Sequence, residues 1–318
     1  MSLAPQLQAL LLQLAELDAP PLHTLEPLKA RQLAETIALQ VSGDQEIVLE
    51  AVASIKNQTI PGSVAEIPVR IYTPFGKGWF PILVFFHGGG WVMGNLEAAD
   101  FICRSLANGA SCIVVSVDYR LAPEHKFPAA LEDAYAAIQW VADCAATFKG
   151  DAKRIAVGGD SAGGNLAAAV ALMARDQGYP QLMYQLLIYP PTHYAFDTQS
   201  YRDYGRDYPL STDLMMWFWN HYLPDAKAGD SFYASPLLAT NLSGLPPALI
   251  ITAEFDALRD EGEAYAARLV QAGVPVKLIR YLGMIHAFIG IPQVWEQGKQ
   301  ALTEAARELE AAFKLNDS

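Results

Sequence analysis

Histidine and cysteine are scarce in this chain, and positive charge is in deficit. Six histidines and three cysteines occur among 318 residues, and 22 Lys and Arg stand against 34 Asp and Glu. The net charge of −12 argues against nucleic acid or an anionic membrane surface as a partner. Cys103, Cys112 and Cys144 lie in apolar surroundings and form no disulfide framework, which suits reduced thiols in a cytoplasmic protein. No Lys or Arg precedes Lys29, so the apolar run Leu10–Leu12 lacks the charged flank of a secretory leader. No apolar run approaches membrane-spanning length. Metal-binding spacings of the H-E-x-x-H or paired-cysteine kind are missing, as are the phosphate-binding G-x-x-x-x-G-K and a dinucleotide fingerprint. No metal and no cofactor is therefore expected.

What is abundant is apolar surface, 52% of the residues against 18% charged, enough for one large α/β domain with a substantial core. Leu3, Leu7, Leu10, Leu14 and Leu17 form a stripe on a helix ended by Pro20-Pro21, a face that would dock on the rest of the chain. A second helix is expected over Pro27–Leu39. Alternating segments Ile47–Ile55 and Ala65–Tyr72, joined by a Pro61-Gly62 turn, predict an antiparallel pair. Apolar strands then follow at Ile82–Phe86, Cys112–Val117, Ile155–Val157, Gln185–Ile188, Ala248–Thr252 and Val276–Arg280. Between and after them come helices at Ala129–Ala146, Asn165–Ala174, Gly262–Ala272 and Val294–Phe313. Continuous apolar strands alternating with helices predict a mostly parallel sheet covered on both faces. A long aromatic-rich stretch between Pro190 and Leu245 interrupts that rhythm and reads as a lid or cap. The expected division is 1–45 cap helices, 46–189 core, 190–245 cap insertion and 246–318 core.

Chemistry concentrates in a few motifs. Gly159-Asp160-Ser161-Ala162-Gly163 sits between a strand and a helix, where G-x-S-x-G forms a strained turn that presents its serine. His87-Gly88-Gly89-Gly90-Trp91 follows the third strand. Three glycines let backbone N–H groups approach a ligand, and acyl transfer needs such donors where a carbonyl oxygen becomes an oxyanion. The candidate donors are Gly88, Gly89, Gly90 and Ala162, the last at a helix N-terminus. A serine hydroxyl needs a base and the base an orienting acid, in the chain order Ser, Asp or Glu, His. His286 is the histidine beyond the last strand, and Asp256 follows the strand before it. Glu254 and Asp260 are rival acids, Asp260 being better suited to the first turn of the next helix. His87 reads as a prop for the glycine loop, Asp160 as a loop-binding carboxylate, and Glu124 with Arg120 as a loop-fixing pair. A neutral His286 acting as base predicts activity that rises with pH through roughly 6 to 7.

These motifs, with Asp118-Tyr119-Arg120-Leu121-Ala122-Pro123-Glu124, Asp256-Ala257-Leu258-Arg259-Asp260-Glu261-Gly262 and Gly283-Met284-Ile285-His286-Ala287-Phe288, closely resemble the bacterial hormone-sensitive-lipase-like carboxylesterases. Ala257 and Ala99 depart from the proline and histidine common at those places. The resemblance implies an α/β-hydrolase core of eight strands with a helical cap. It also implies a Ser161–His286–Asp256 triad, short to medium acyl esters as small-molecule substrates, no cofactor, and a possible homodimer. An amidase, carbamate hydrolase or deacetylase would carry the same motifs. A non-catalytic small-molecule receptor would be expected to lose Ser161 or His286, and this chain keeps both.

Overall fold

The computed structural model describes residues 2–42, 49–291 and 294–314. Its strands are β1 (Ser54–Pro61), β2 (Glu66–Thr73), β3 (Phe80–Phe86), β4 (Ile113–Val117), β5 (Gly150–Asp160), β6 (Tyr184–Ile188), β7 (Ala248–Phe255) and β8 (Val276–Ile285). They make one eight-stranded sheet in the order β1-β2-β4-β3-β5-β6-β7-β8, in which β2 pairs antiparallel with both of its neighbours, β1 and β4, and every other pairing is parallel.

The central strands β3, β4 and β6 are almost wholly apolar because both faces are buried, with Ser116 and Gln185 as the buried polar exceptions. In β3, Ile82, Val84 and Phe86 face one core and Leu83 and Phe85 the other. The first core is closed by α4 (Ala129–Cys144), α5 (Ala162–Gln177) and α8 (Arg259–Gln271). The second is closed by α3 (Asp100–Gly109) and α9 (Trp295–Lys314). The first helix, α1 (Pro5–Glu16), adds Leu7 and Leu10 to that second core, and the Ala4 N–H donates to the Gly283 carbonyl at 3.1 Å. The leucine stripe therefore docks on its own chain. After it comes α2 (Pro27–Ser42).

Two expectations change. The first strand is Ser54–Pro61, with most residues exposed, and not Ile47–Ile55. An edge strand with little burial needs no apolar alternation, so Lys56, Asn57, Gln58 and Thr59 enter it through pairing with β2. Residues 47 and 48 of the expected strand lie outside the described residues. Helix α3 was not foreseen, although Ile102, Cys103, Leu106 and Ala107 line its buried side.

The stretch after β6 carries α6 (Gln199–Tyr204) and α7 (Thr212–Tyr222). It is pinned from α7 onto the glycine loop. Tyr222 stacks on Trp91 with ring centroids 4.3 Å apart and planes 3° apart, and Trp219 lies 4.5 Å away. Lys126 donates to the carbonyls of Asn220, His221 and Leu223, satisfying the groups an α-helix leaves open at its C-terminus.

Candidate active site

Open α/β sheets place their sites at the carboxyl ends of parallel strands, and this chain puts the three candidate side chains there. Ser161 follows β5, Asp256 follows β7 and His286 follows β8. Ser161 has φ 52° and ψ −121°, a region that favours glycine. The turn closes because two glycines leave room. A Cβ on Gly163 would sit 1.8 Å from the Phe86 carbonyl oxygen, and one on Gly159 would sit 2.3 Å from the Gly163 backbone. The Ser161 N–H donates to the Ile188 carbonyl at 2.8 Å, tying the turn to β6.

The side chains form one hydrogen-bonded row. His286 Nε2 is 2.9 Å from Ser161 Oγ, and His286 Nδ1 is 2.7 Å from Asp256 Oδ2. A carboxylate only accepts, so Nδ1 carries the proton and Nε2 is left to accept from the serine hydroxyl. Asp256 is 1% exposed, and its Oδ1 accepts the Leu258 N–H at 2.9 Å, which fixes the carboxylate plane. The rival acids are occupied elsewhere. Glu254 accepts the Gly283 N–H, and Asp260 accepts the Ser200 N–H at 2.8 Å and pairs with Arg259.

The glycine loop is braced from below. His87 is buried and stacked on Tyr119, whose hydroxyl donates to the His87 carbonyl at 2.7 Å. His87 Nδ1 donates to the Gly88 carbonyl at 2.8 Å, and burial pushes the imidazole down to about 4, so it stays neutral as a prop. Asp118 lies 4.0 Å from its other nitrogen, beyond hydrogen-bond reach.

One of the four candidate oxyanion donors is already engaged. The Gly88 N–H donates to Asp160 Oδ1 at 2.9 Å, so this amide is not free for an oxyanion. Among the described residues no acceptor takes the N–H of Gly89 or Gly90, and Ala162 opens α5, where an N–H lacks a helical partner. Gly89 needs its φ of 117° and the room beside it, since a Cβ would meet the Met93 carbonyl at 2.2 Å. The expected Arg120–Glu124 pair is also replaced. Arg120 is bidentate to Asp133, and Glu124 accepts from the two terminal guanidinium nitrogens of Arg31 from α2, at 2.8 and 2.7 Å.

Burial pushes Asp160 up to about 6, against the opposing pull of the Gly88 N–H and of His286. A carboxyl whose folded value lies above its unfolded value of about 3.9 destabilises the fold progressively as pH rises from about 4 to 6. Asp160→Asn keeps an acceptor for Gly88 and does not titrate. Its stability is expected to gain on the wild type by roughly 3 kcal/mol across that window, then hold level. Paired thermal melts between pH 4 and 8 measure it, and a difference that stays constant from 4 to 6 would show that Asp160 ionises freely in the fold.

A mostly parallel sheet with a strained serine turn after β5, a carboxylate after β7 and a histidine after β8 defines the α/β-hydrolase class of protein. A family model for the alpha/beta hydrolase fold matches residues 83–290. The carboxylic ester hydrolase LipN of Mycobacterium tuberculosis is 47% identical over 247 residues, 76% of this chain and 65% of LipN. The carboxylesterase NlhH of the same species is 43% identical over 256 residues, 78% of this chain and 80% of NlhH. The crystal structure of a thermostable esterase from Pseudomonas putida ECU1011 superposes with a TM-score of 0.93 at 41% identity, covering 98% of both chains. The chain belongs to the α/β-hydrolase family, in the hormone-sensitive-lipase-like group whose motifs it carries.

Proposed function

We propose that the protein is a carboxylesterase that hydrolyses short to medium acyl esters through a covalent acyl-enzyme on Ser161. The observation that carries this reading is the row Ser161 Oγ, His286 Nε2, His286 Nδ1, Asp256 Oδ2, with both contacts at hydrogen-bond length. Ser161 Oγ attacks the ester carbonyl while its proton passes to His286 Nε2. The carbonyl oxygen becomes an oxyanion received by the free N–H groups of Gly89, Gly90 and Ala162. Collapse of the tetrahedral adduct breaks the bond to the alkoxy oxygen, which takes the proton from His286 and leaves as the alcohol. Water then repeats the sequence on the acyl-enzyme, freeing the acid and restoring Ser161. Asp256 keeps the imidazole in the tautomer that can accept.

An acyl-length series of p-nitrophenyl esters, with an organophosphate label mapped to its serine, tests the proposal. Activity on butyrate with the label on Ser161 supports it. A label elsewhere, or a matching amide turned over as fast as the ester, would count against it. The reading includes a small-molecule ester as substrate and, on the family resemblance, a homodimer. The edge strand β8, with Leu278 and Leu282 exposed, supports the dimer, and sedimentation velocity tests it.

The N-terminal helices and the 190–245 segment would together form the cap. A cavity of about 1020 Å³ lies between residues 21–23 and that segment, lined by Leu22, Phe196, Tyr201, Tyr208 and Leu214 among others, while neither Ser161 nor His286 lines it. Arg31 supports the cap by reaching from α2 to the glycine loop, donating to the Val92 carbonyl at 2.7 Å and the Ala122 carbonyl at 2.9 Å. Glu124 is 54% exposed, so the ion pair itself adds little. Arg31→Met is expected to cost about 1–3 kcal/mol through the abandoned carbonyls and to raise KM. Thermal melts and steady-state kinetics on one preparation check it; unchanged melting and KM would remove this support for the cap.

A further inference from the structure

Tyr189 stands between β6 and Pro190 with φ 36°. The residue before a proline is held toward extended conformations, and a bulky side chain at positive φ is an outlier costing on the order of 1–3 kcal/mol. Such strain persists only where the surroundings impose it. The Tyr189 N–H is held by the Ile251 carbonyl at 2.6 Å, and the carbonyl of the preceding residue, Ile188, is the acceptor that ties down the Ser161 N–H. The turn that clamps the nucleophile's backbone therefore also delivers the Tyr189 ring. That ring is 2% exposed and lies 4.8 Å from the His286 ring, with planes 58° apart; Phe288 packs edge-on at 6.1 Å. The Tyr189 hydroxyl makes no hydrogen bond to the described residues, so the ring is placed by its backbone and its packing and by no bond of its own hydroxyl.

We propose that Tyr189 is a positioning residue for the reaction: its ring holds the His286 imidazole between Asp256 and Ser161 and stabilises the imidazolium that forms during each half of the cycle. The proposal rests on the Ser161–His286 reading above. When the proton moves from Ser161 Oγ, or later from water, to Nε2, the imidazole becomes a cation within 6 Å of an aromatic ring, an arrangement that favours the charged form. Asp256 faces the same imidazole from the end of β7, Asp160 from the end of β5 and Ser161 from the turn. All three stay in place when residue 189 changes, so a difference between variants reads the ring. Burial between Asp160 and Asp256 holds the phenol well above its ordinary range, so it remains neutral while His286 cycles.

The test compares Tyr189→Phe, Tyr189→Leu and the wild type on p-nitrophenyl acetate, butyrate and hexanoate, with kcat, KM and the acid limb of kcat/KM measured for each. Tyr189→Leu is expected to lower kcat about tenfold on all three esters with KM little changed. Its acid limb should move to lower pH, because the lost ring favoured the cation. Tyr189→Phe keeps the ring and should keep both kcat and the limb. If Tyr189→Leu fails to fold by circular dichroism, Tyr189→Met removes the ring with a more adaptable side chain. Three results would each overturn the proposal: wild-type kcat without the ring, a loss that grows or shrinks with acyl length, or a Phe variant as impaired as Leu. Ser161→Ala assayed alongside separates the two readings, since activity that survives it indicts the serine mechanism and not Tyr189.

Discussion

Ser161→Ala is expected to lower kcat on p-nitrophenyl butyrate by about 10⁴- to 10⁶-fold. The hydroxyl's one hydrogen bond to the described residues is to His286 Nε2, so its removal abandons no buried backbone group. Alanine keeps the Cβ, and with it the strain at φ 52° and ψ −121°. Melting within a few degrees of wild type is therefore expected. Ser161→Gly is a sharper control. That backbone region is the one type II′ turns reserve for glycine, so the glycine variant should be as inactive as alanine and more stable by roughly 1 kcal/mol or more. The residual rate over water would come from the free N–H groups of Gly89, Gly90 and Ala162, which neither substitution touches. Turnover that survives in Ser161→Ala would end the acyl-enzyme reading. An inactive alanine variant with a glycine variant less stable than wild type would show that the turn is held without strain.

What was legible in the sequence is what local composition and chain order encode. The core strands stood out because burial on both faces demands mostly apolar residues, as in Phe80–Phe86, while Ile113–Val117 and Tyr184–Ile188 each admit one buried polar residue, Ser116 and Gln185. Ser161, Asp256 and His286 could be found because each follows a strand, and strand ends share one edge of a parallel sheet. The parts that were not legible depend on contacts between distant residues. Arg31 meets Glu124 across 93 positions, whereas the nearer Arg120 offered the obvious partner and went to Asp133 instead. Gly88 meets Asp160 across 72 positions, and only that contact separates it from Gly89 and Gly90 as a donor. Tyr189 carried no sequence signal at all. The role proposed for it rests on the turn after β6, which holds the Ser161 N–H on one side and faces His286 on the other.

Asp256→Asn is expected to lower kcat by about 10⁴-fold while leaving the site's shape nearly unchanged. The reason lies in which oxygen does what. Asp256 Oδ1 accepts the Leu258 N–H at 2.9 Å, and Oδ2 accepts from His286 Nδ1 at 2.7 Å. In asparagine only one terminal atom is an acceptor. The Leu258 N–H is buried backbone and leaves its partner only at a cost of about 1–3 kcal/mol, so the amide oxygen turns toward it. The NH₂ group then faces His286 Nδ1, which must become an acceptor, and the ring proton moves to Nε2. A protonated Nε2 cannot take the proton from Ser161 Oγ, so the nucleophile is left unactivated although every heavy atom stays in place. The loss should therefore fall on kcat, with KM within a few-fold of wild type. Above the range where serine proteins normally saturate, the variant should regain rate as hydroxide substitutes for the missing base. Steady-state kinetics from pH 6 to 10 decide the matter. A variant within tenfold of wild type at pH 7 would mean that Asp256 does not set the His286 tautomer, and an equal loss in Asp260→Asn would move the role of acid to the next helix.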